Sequence, residues 1–194
     1  MTDPGVARCT QAVAAAADAH RRAATTLAEP VWAAARTVPT ALADGHKVLI
    51  CGNGGSAAES QHFAAELTGR FKREREAWPV IALTVDTSAL TAIGNDYGFD
   101  RVFARQVEAY GRKGDALIVM STSGRSPNVV AAVEAARARG VQVVALTGAD
   151  AGPLGTGADV VLAVPESDTA RVQEVHLTLL HVMCDEIERA LAGA

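Results

Sequence analysis

A chain of 194 residues, 49% hydrophobic and 21% charged, is the size of one domain that buries its own core without staples. Eighteen basic residues against twenty-two acidic ones leave a net charge of −4, so the chain offers no global attraction to nucleic acid or anionic lipid, and any anion site must be local. The three cysteines, Cys9, Cys51 and Cys184, form no CxxC pair and no even framework, and they read as buried thiols of a reducing compartment. Met1–Gly5 has neither the basic start nor the apolar core of a signal peptide, and no stretch reaches the ~20 apolar residues of a membrane span. A cytoplasmic protein with neither membrane nor nucleic acid among its partners is expected.

From Val6 to Leu42 the sequence is alanine-rich with charges at helical spacing, and Pro30 is expected to divide it into two helices. With Trp32 as its one aromatic, this helical segment, residues 6–43, is expected to pack on the main sheet or on another subunit. After Asp44-Gly45, short apolar runs appear at Lys47–Cys51, Pro79–Thr84, Asp115–Met120, Val141–Thr147 and Ala158–Val164. Each is nearly continuous rather than alternating, which predicts strands covered on both faces. Helical patterns lie between them at Ala57–Arg70, within Ser88–Gly111 and at Asn128–Arg139. A glycine-rich connection, Gly148–Gly157, joins the last two strands, and a final helix is expected over Arg171–Leu191. The alternation predicts an α/β fold: a doubly wound, parallel sheet of about five strands with N-terminal helices. No repeat or linker divides residues 1–194, and the mixed-charge stretch Gly69–Ala77 is expected to be a solvated loop or subunit rim.

In open parallel sheets, ligands sit at the carboxyl ends of strands. Three loops expected there carry unusual chemistry. Ser121–Asn128 follows a strand with a crowd of hydroxyls and enters a helix at Pro127. It reads either as a phosphate cradle at a helix N-terminus or as an ordinary turn capped by Ser126. Cys51–Ser56 brings Asn53, Gly54, Gly55 and Ser56 after the first strand. It lacks both the GxGxxG spacing and a Walker lysine, so no nucleotide cofactor is expected. Gly94–Phe99, with Asn95 and Asp96, is expected as a loop after the second strand.

On the helix after the first loop, His62 and Glu66 are four apart and share a face. They read as an acid–base pair or as a surface pair without function. The last helix holds Gln173, Glu174, His176 and His181 in an apolar setting where either histidine alone fits a core role. Gln173 and His181 are eight apart, about 12 Å along the axis and ~80° around it, which makes a shared metal from one helix awkward. An oligomer with composite active sites would relieve that geometry.

Taken together, Cys51–Ser56, Gln61–Arg70, Gly94–Phe99, Ser121–Ser126 and Arg171–His176 resemble the phosphoheptose isomerases of the SIS fold group, in order and over nearly the whole chain. The resemblance implies a three-layer, flavodoxin-like sheet. It implies isomerisation of D-sedoheptulose 7-phosphate to D-glycero-D-manno-heptose 7-phosphate through an enediol, the first step of nucleotide-activated heptose biosynthesis. It makes Glu66 and His181 the catalytic pair, and His62, Glu66, Gln173 and His181 the ligands of zinc. Asn53, Gly54, Gly55, Ser56, Glu66, Asn95, Asp96, Ser121, Thr122, Ser123, Ser126 and Gln173 would contact substrate. The family is homotetrameric. The turn Glu166–Ala170 lacks the carboxylate that some relatives carry immediately before Arg171, which bears on substrate orientation and product stereochemistry. A non-catalytic SIS protein of the replication-initiator-associating type is the rival reading. The presence of both Glu66 and His181 argues for the enzyme. A different sugar phosphate isomerase or a sugar-sensing regulatory domain is a third, but the N-terminal helices are neither basic nor built for DNA recognition.

Overall fold

In the computed structural model, which describes residues 3–192, the apolar runs form β1 (Val48–Gly52), β2 (Val80–Ala82), β3 (Ala116–Ser121), β4 (Gln142–Thr147) and β5 (Val160–Ala163). All pair in parallel, in the order β2-β1-β3-β4-β5. The helices are α1 (Pro4–Thr26), α2 (Ala28–Ala43), α3 (Gly55–Thr68), α4 (Thr87–Tyr97), α5 (Ala104–Tyr110), α6 (Pro127–Ala138), α7 (Gly152–Gly157) and α8 (Thr169–Ala192). Successive strand side chains point to opposite faces, so each strand feeds two cores. Val48, Ile50, Ile118, Met120 and Leu146 pack with residues of α1, α2, α3 and α8 on one face. Leu49, Cys51, Leu117, Val119 and Val143 pack with residues of α5, α6 and α7 on the other. The expected three-layer, doubly wound α/β fold is the observed one.

Three local expectations differ. The break between the N-terminal helices falls at Leu27, not Pro30. Pro30 sits in the first turn of α2, where an N–H would have had no intrahelical acceptor, so it starts a helix instead of breaking one. Gly94–Phe99 is not a free loop after β2: Asn95 and Asp96 lie in the last turn of α4. The glycine-rich connection contains the short helix α7, with Pro153 in its first turn. The N-terminal helices do pack on the body of the fold, with Ala19, Ala23, Leu27, Val31, Ala34 and Val38 in the shared core, while Trp32 remains 53% exposed. Cys51 and Cys184 are buried as expected, but Cys9 lies on the outer face of α1 and is exposed.

The strand order reverses between β1 and β3, and their registration is pinned at the end opposite the loops. Asp115, whose side chain is almost wholly buried, accepts hydrogen bonds from the Lys47 amide (3.0 Å), Lys47 Nζ (2.6 Å) and the Arg112 amide (2.8 Å). Burial pushes the Asp115 carboxyl up, but these donors and the Lys47 charge outweigh it and hold the pKa below the ordinary carboxylate value. A lowered folded pKa contributes stability at neutral pH that is lost as pH falls below the ordinary aspartate value of about 3.9. Asp115→Asn is therefore expected to cost about 1–3 kcal/mol at neutral pH, because it strands buried donors. It should also flatten the acid limb of the Tm-against-pH curve, which thermal melts from about pH 7 down to about pH 2 will check.

Candidate active site

The reversal between β1 and β3 opens a crevice at their carboxyl ends, the position where doubly wound sheets bind ligands. A cavity of about 250 Å³ lies there, lined by Asn53, Gly54, Gly55, Ser56, Met120, Ser121, Thr122, Ser126, Thr169 and Gln173. Its hydroxyls are already gathered: Ser121 Oγ lies 2.8 Å from Ser126 Oγ and 3.3 Å from Ser123 Oγ. Ser126 is the N-cap residue of α6, yet its hydroxyl makes no capping bond to the helix. The first turn of α6 thus presents its positive end beside a cluster of hydroxyl donors, a setting that favours an anion. The loops from β1 and β3 are cross-linked by a reciprocal amide pair. Asn53 Nδ2 donates to Asn128 Oδ1 at 2.9 Å, and Asn128 Nδ2 donates to Asn53 Oδ1 at 2.8 Å. Gly54 has a positive φ of 56°, and a Cβ at Gly55 would come within 2.6 Å of Gln173 Oε1. Gly54 thus makes a turn into α3 that a side chain would strain, and the bare Gly55 leaves room for the end of Gln173 on α8.

A second group of side chains lies further along the seam between α3 and α8. The Nε2 atoms of His62 and His181 face each other at 2.8 Å, so one carries the proton and the other accepts it. Glu66 Oε1 lies 3.2 Å from His62 Nε2. The His181 ring meets His62 edge-on, with centroids 5.0 Å apart, and stacks on Phe71 at 5.5 Å and 21°. Burial first, then the His62 charge, lowers the His181 pKa below the ordinary imidazole value; Lys72 adds to this and Glu66 opposes it. A neutral imidazole at pH 7 can both take and give a proton. Ligand atoms of His62, Glu66 and His181 all lie within 4.8 Å of one another. Two imidazole nitrogens and one carboxylate oxygen are the donor set of a catalytic metal centre that keeps an open position, so the residues present fit a divalent cation.

Most of the expected site residues therefore gather along one seam, but in two parts. Gln173 stands with the hydroxyl cavity, beside Gly55 and two turns of the unbroken α8 before His181. Ser123 bonds to Ser121 without lining the cavity, and Asn95 and Asp96, exposed and hydrogen-bonded to each other, are not in its lining. Of the two histidines on α8, His176 is the core residue. It is fully buried and its Nε2 donates to the Thr147 carbonyl at 3.0 Å, and burial lowers its pKa to about 4.

The sequence reading missed several participants. Asn128 looked like an ordinary residue of a helix start. Thr169, at the first turn of α8, lines the anion cavity. Glu59 shares the stripe of Gly55, His62 and Glu66; it has one buried oxygen without a partner, and burial raises its pKa to about 7. The spacing 55-59-62-66 was the available signal. The stretch Gly69–Ala77 is only partly a solvated rim. The Arg75 side chain is 3% exposed, with its guanidinium 3.8 Å above the Trp78 ring, because a buried carboxylate on α8, Glu188, draws it inward.

A SIS domain family model matches residues 13–148. The phosphoheptose isomerase of Aliarcobacter butzleri is 54% identical over 167 residues, which cover 86% of this chain and 88% of that relative. Among solved structures, a phosphoheptose isomerase from Neisseria gonorrhoeae is similar with a TM-score of 0.89 at 50% identity, covering 93% of this chain and 97% of that one. One from Francisella tularensis gives 0.92 at 38% identity, covering 97% of this chain and all of the other. With the hydroxyl cavity at the strand reversal, the His62–Glu66–His181 group beside it, and this likeness along nearly the whole length, the chain belongs to the phosphoheptose isomerase family of SIS domain enzymes.

Proposed function

We propose that this enzyme isomerises D-sedoheptulose 7-phosphate to D-glycero-D-manno-heptose 7-phosphate, at the entry to nucleotide-activated heptose biosynthesis. The observation that carries this reading is a single α3–α8 seam with hydroxyls and a helix N-terminus at one end, and a carboxylate beside two imidazoles at the other. A sugar phosphate is such a molecule: anionic at one end, with a carbonyl to be enolised at the other. A non-catalytic SIS binding protein would have no use for Glu66 and His181, and that alternative is not favoured.

Ser121, Thr122 and Ser126 hold the phosphate, with Ser123 acting through its contact to Ser121, and that grip places C1 and C2 of the sugar. Gly54 and Gly55 let the substrate approach the backbone, while Ser56 and Gln173 contact its middle. Asn53 is bound to Asn128 and so contributes as much by fixing the loop as by touching the sugar. Glu66 takes the proton from C1 of the ketose and returns it to C2, a transfer a carboxylate can make on one face of a planar enediol. His181 moves the accompanying hydroxyl proton from O1 to O2 and assists ring opening. His62, Glu66 and His181 would hold zinc, which when bound supplies Lewis-acid polarisation of the carbonyl and offsets developing negative charge.

The assembled enzyme is read as a homotetramer with composite sites. Gln173 stands beside Gly55, two turns before His181 on α8, and a composite site would let a second copy complete the metal donors. Asn95 and Asp96 would likewise meet the substrate in the assembly. An apolar groove between α1, α2 and α8, lined by Leu27, Val31, Val175, Leu179 and Val182, supports such an assembly. No helix among the described residues is long and apolar enough to cross a membrane, and the cytoplasm is the compartment where sugar phosphates are made.

Incubation with sedoheptulose 7-phosphate, followed by NMR, should show a mass-neutral ketose-to-aldose conversion that a chelator suppresses and zinc restores. No conversion with or without zinc would refute the activity, and conversion insensitive to thorough chelation would refute the metal. Glu66→Gln should lower kcat by about a thousandfold or more while substrate still binds, since base catalysis contributes about 10²–10⁴ in rate. Turnover near that of the parent in stopped-time assays would remove Glu66 from the base role. Ser126→Ala should act mainly on KM, raising it about tenfold, the equivalent of one strong hydrogen bond to an anion. A change confined to kcat would count against the phosphate assignment.

A further inference from the structure

Glu188 is a carboxylate with no exposed surface on an α-helix near the end of the chain. Its oxygens accept backbone hydrogen bonds from Phe71, Lys72 and Arg73, each at 2.9 Å. Arg75 Nε lies 3.3 Å from Glu188 Oε1, a distance for charge attraction though not aligned as a hydrogen bond. Burial pushes the Glu188 carboxyl up, and the three amides and the Arg75 charge more than reverse this, so the group is ionised at neutral pH.

What this carboxylate grips bears directly on the active side chains. Phe71, whose amide it holds, lies flat against the His181 ring. Arg75, whose charge it attracts, donates from its guanidinium to the Glu66 carbonyl at 2.9 Å and to the Gly69 carbonyl at 2.8 Å. Those two carbonyls end α3, where the last backbone acceptors of a helix have no partners of their own. The other face of the guanidinium is closed by Trp78. One buried charge thus ties together the backing of one catalytic ring and the helical turn that carries the other group.

We infer that Glu188 is a positioning residue for the acid–base pair: through Phe71 it fixes the plane of His181, and through Arg75 it fixes the last turn of α3 with Glu66. This rests on the reading of Glu66 and His181 given above. A carboxylate that only stabilised the loop would leave folded molecules fully active when weakened. A positioning role predicts instead that kcat and metal affinity fall while KM holds, because Ser121–Ser126 lie at the far end of the seam.

The test uses the full-length, zinc-loaded protein and the variants Glu188→Gln, Phe71→Leu and Phe71→Tyr. Glu188→Gln should lower kcat for sedoheptulose 7-phosphate by about tenfold or more, with KM changed by less than about twofold, the scale seen when partners of metal ligands are removed. Phe71→Leu should lower kcat in the same pattern, and Phe71→Tyr, which keeps a ring against His181, should restore it. Zinc affinity, measured without substrate by competition with a chromophoric chelator, should weaken about tenfold in Glu188→Gln and Phe71→Leu. If Glu188→Gln does not fold, Phe71→Leu decides, since Phe71 is only half-buried. A kcat and zinc affinity for Phe71→Leu both equal to the parent's would overturn the inference, as would a rise in KM that accounts for the whole loss. If the parent protein fails to convert sedoheptulose 7-phosphate, the isomerase reading falls, and the chelator competition still decides the positioning role.

Discussion

The whole site depends on how closely α8 can lie along α3. Gly55 and His62 fall on one stripe of α3 and meet Gln173 and His181 in the same order along α8, and beyond the end of α3 the Phe71 amide meets Glu188. At the first of these levels the bare Gly55 leaves room for the end of the Gln173 side chain, which a Cβ there would displace. Separation there would open the anion cavity and also carry His181 away from His62, because both contacts belong to one rigid α8. The seam is polar where function needs it, and its cohesion comes from elsewhere. Phe63 and Leu67 on α3, and Leu180, Met183 and Ile187 on α8, point to the common core with almost no exposed surface. Amphipathic helices thereby spend their buried faces on stability and leave the adjoining stripe for chemistry.

The two loops that complete the anion cavity are held by different means at their two ends. Below, Asp115 binds Lys47 and pins β1 beside β3. Above, the amides of Asn53 and Asn128 close on each other, and each satisfies both donor and acceptor of its partner. A parallel pair of strands tied at both ends presents its loops at a fixed separation. The hydroxyls of Ser121 and Ser126 are therefore organised before any ligand arrives, which reduces the ordering that binding would otherwise demand.

The architecture was legible because both faces of the sheet are covered, and continuous apolar runs such as Leu49–Cys51 and Leu117–Met120 leave no other reading. The glycine and serine loops were legible for a related reason: such residues at strand ends have little to offer a core. What escaped were positions where a residue's usual behaviour is overruled by a partner distant in sequence. Arg75, in a stretch as charged as any surface loop, is buried because Glu188 lies more than a hundred residues away in the chain and beside it in space. Pro30 signalled a break that its place in the first turn of α2 makes unnecessary. Asn95 and Asp96 were separated from the strand end by a helix that the glycine-rich texture of their neighbours concealed.

Histidine shows the same limit within one helix. His176 and His181 are five residues apart, about 140° around the axis, so they face different surroundings although their sequence neighbours are alike. His176 points under the sheet, where burial keeps it neutral and a carbonyl acceptor fixes its proton on Nε2. That carbonyl belongs to Thr147, which stands opposite Ser121 in the β3–β4 register. His181 points into the seam, between His62 and Phe71, where proton exchange is possible. The first histidine thus fastens α8 beneath the strand ends that bear the anion loop, and the second presents chemistry two turns of helix from Gln173 in that cavity. Because both act from one stiff rod, the separation between the hydroxyl cavity at Gln173 and the imidazole of His181 is set by helix geometry.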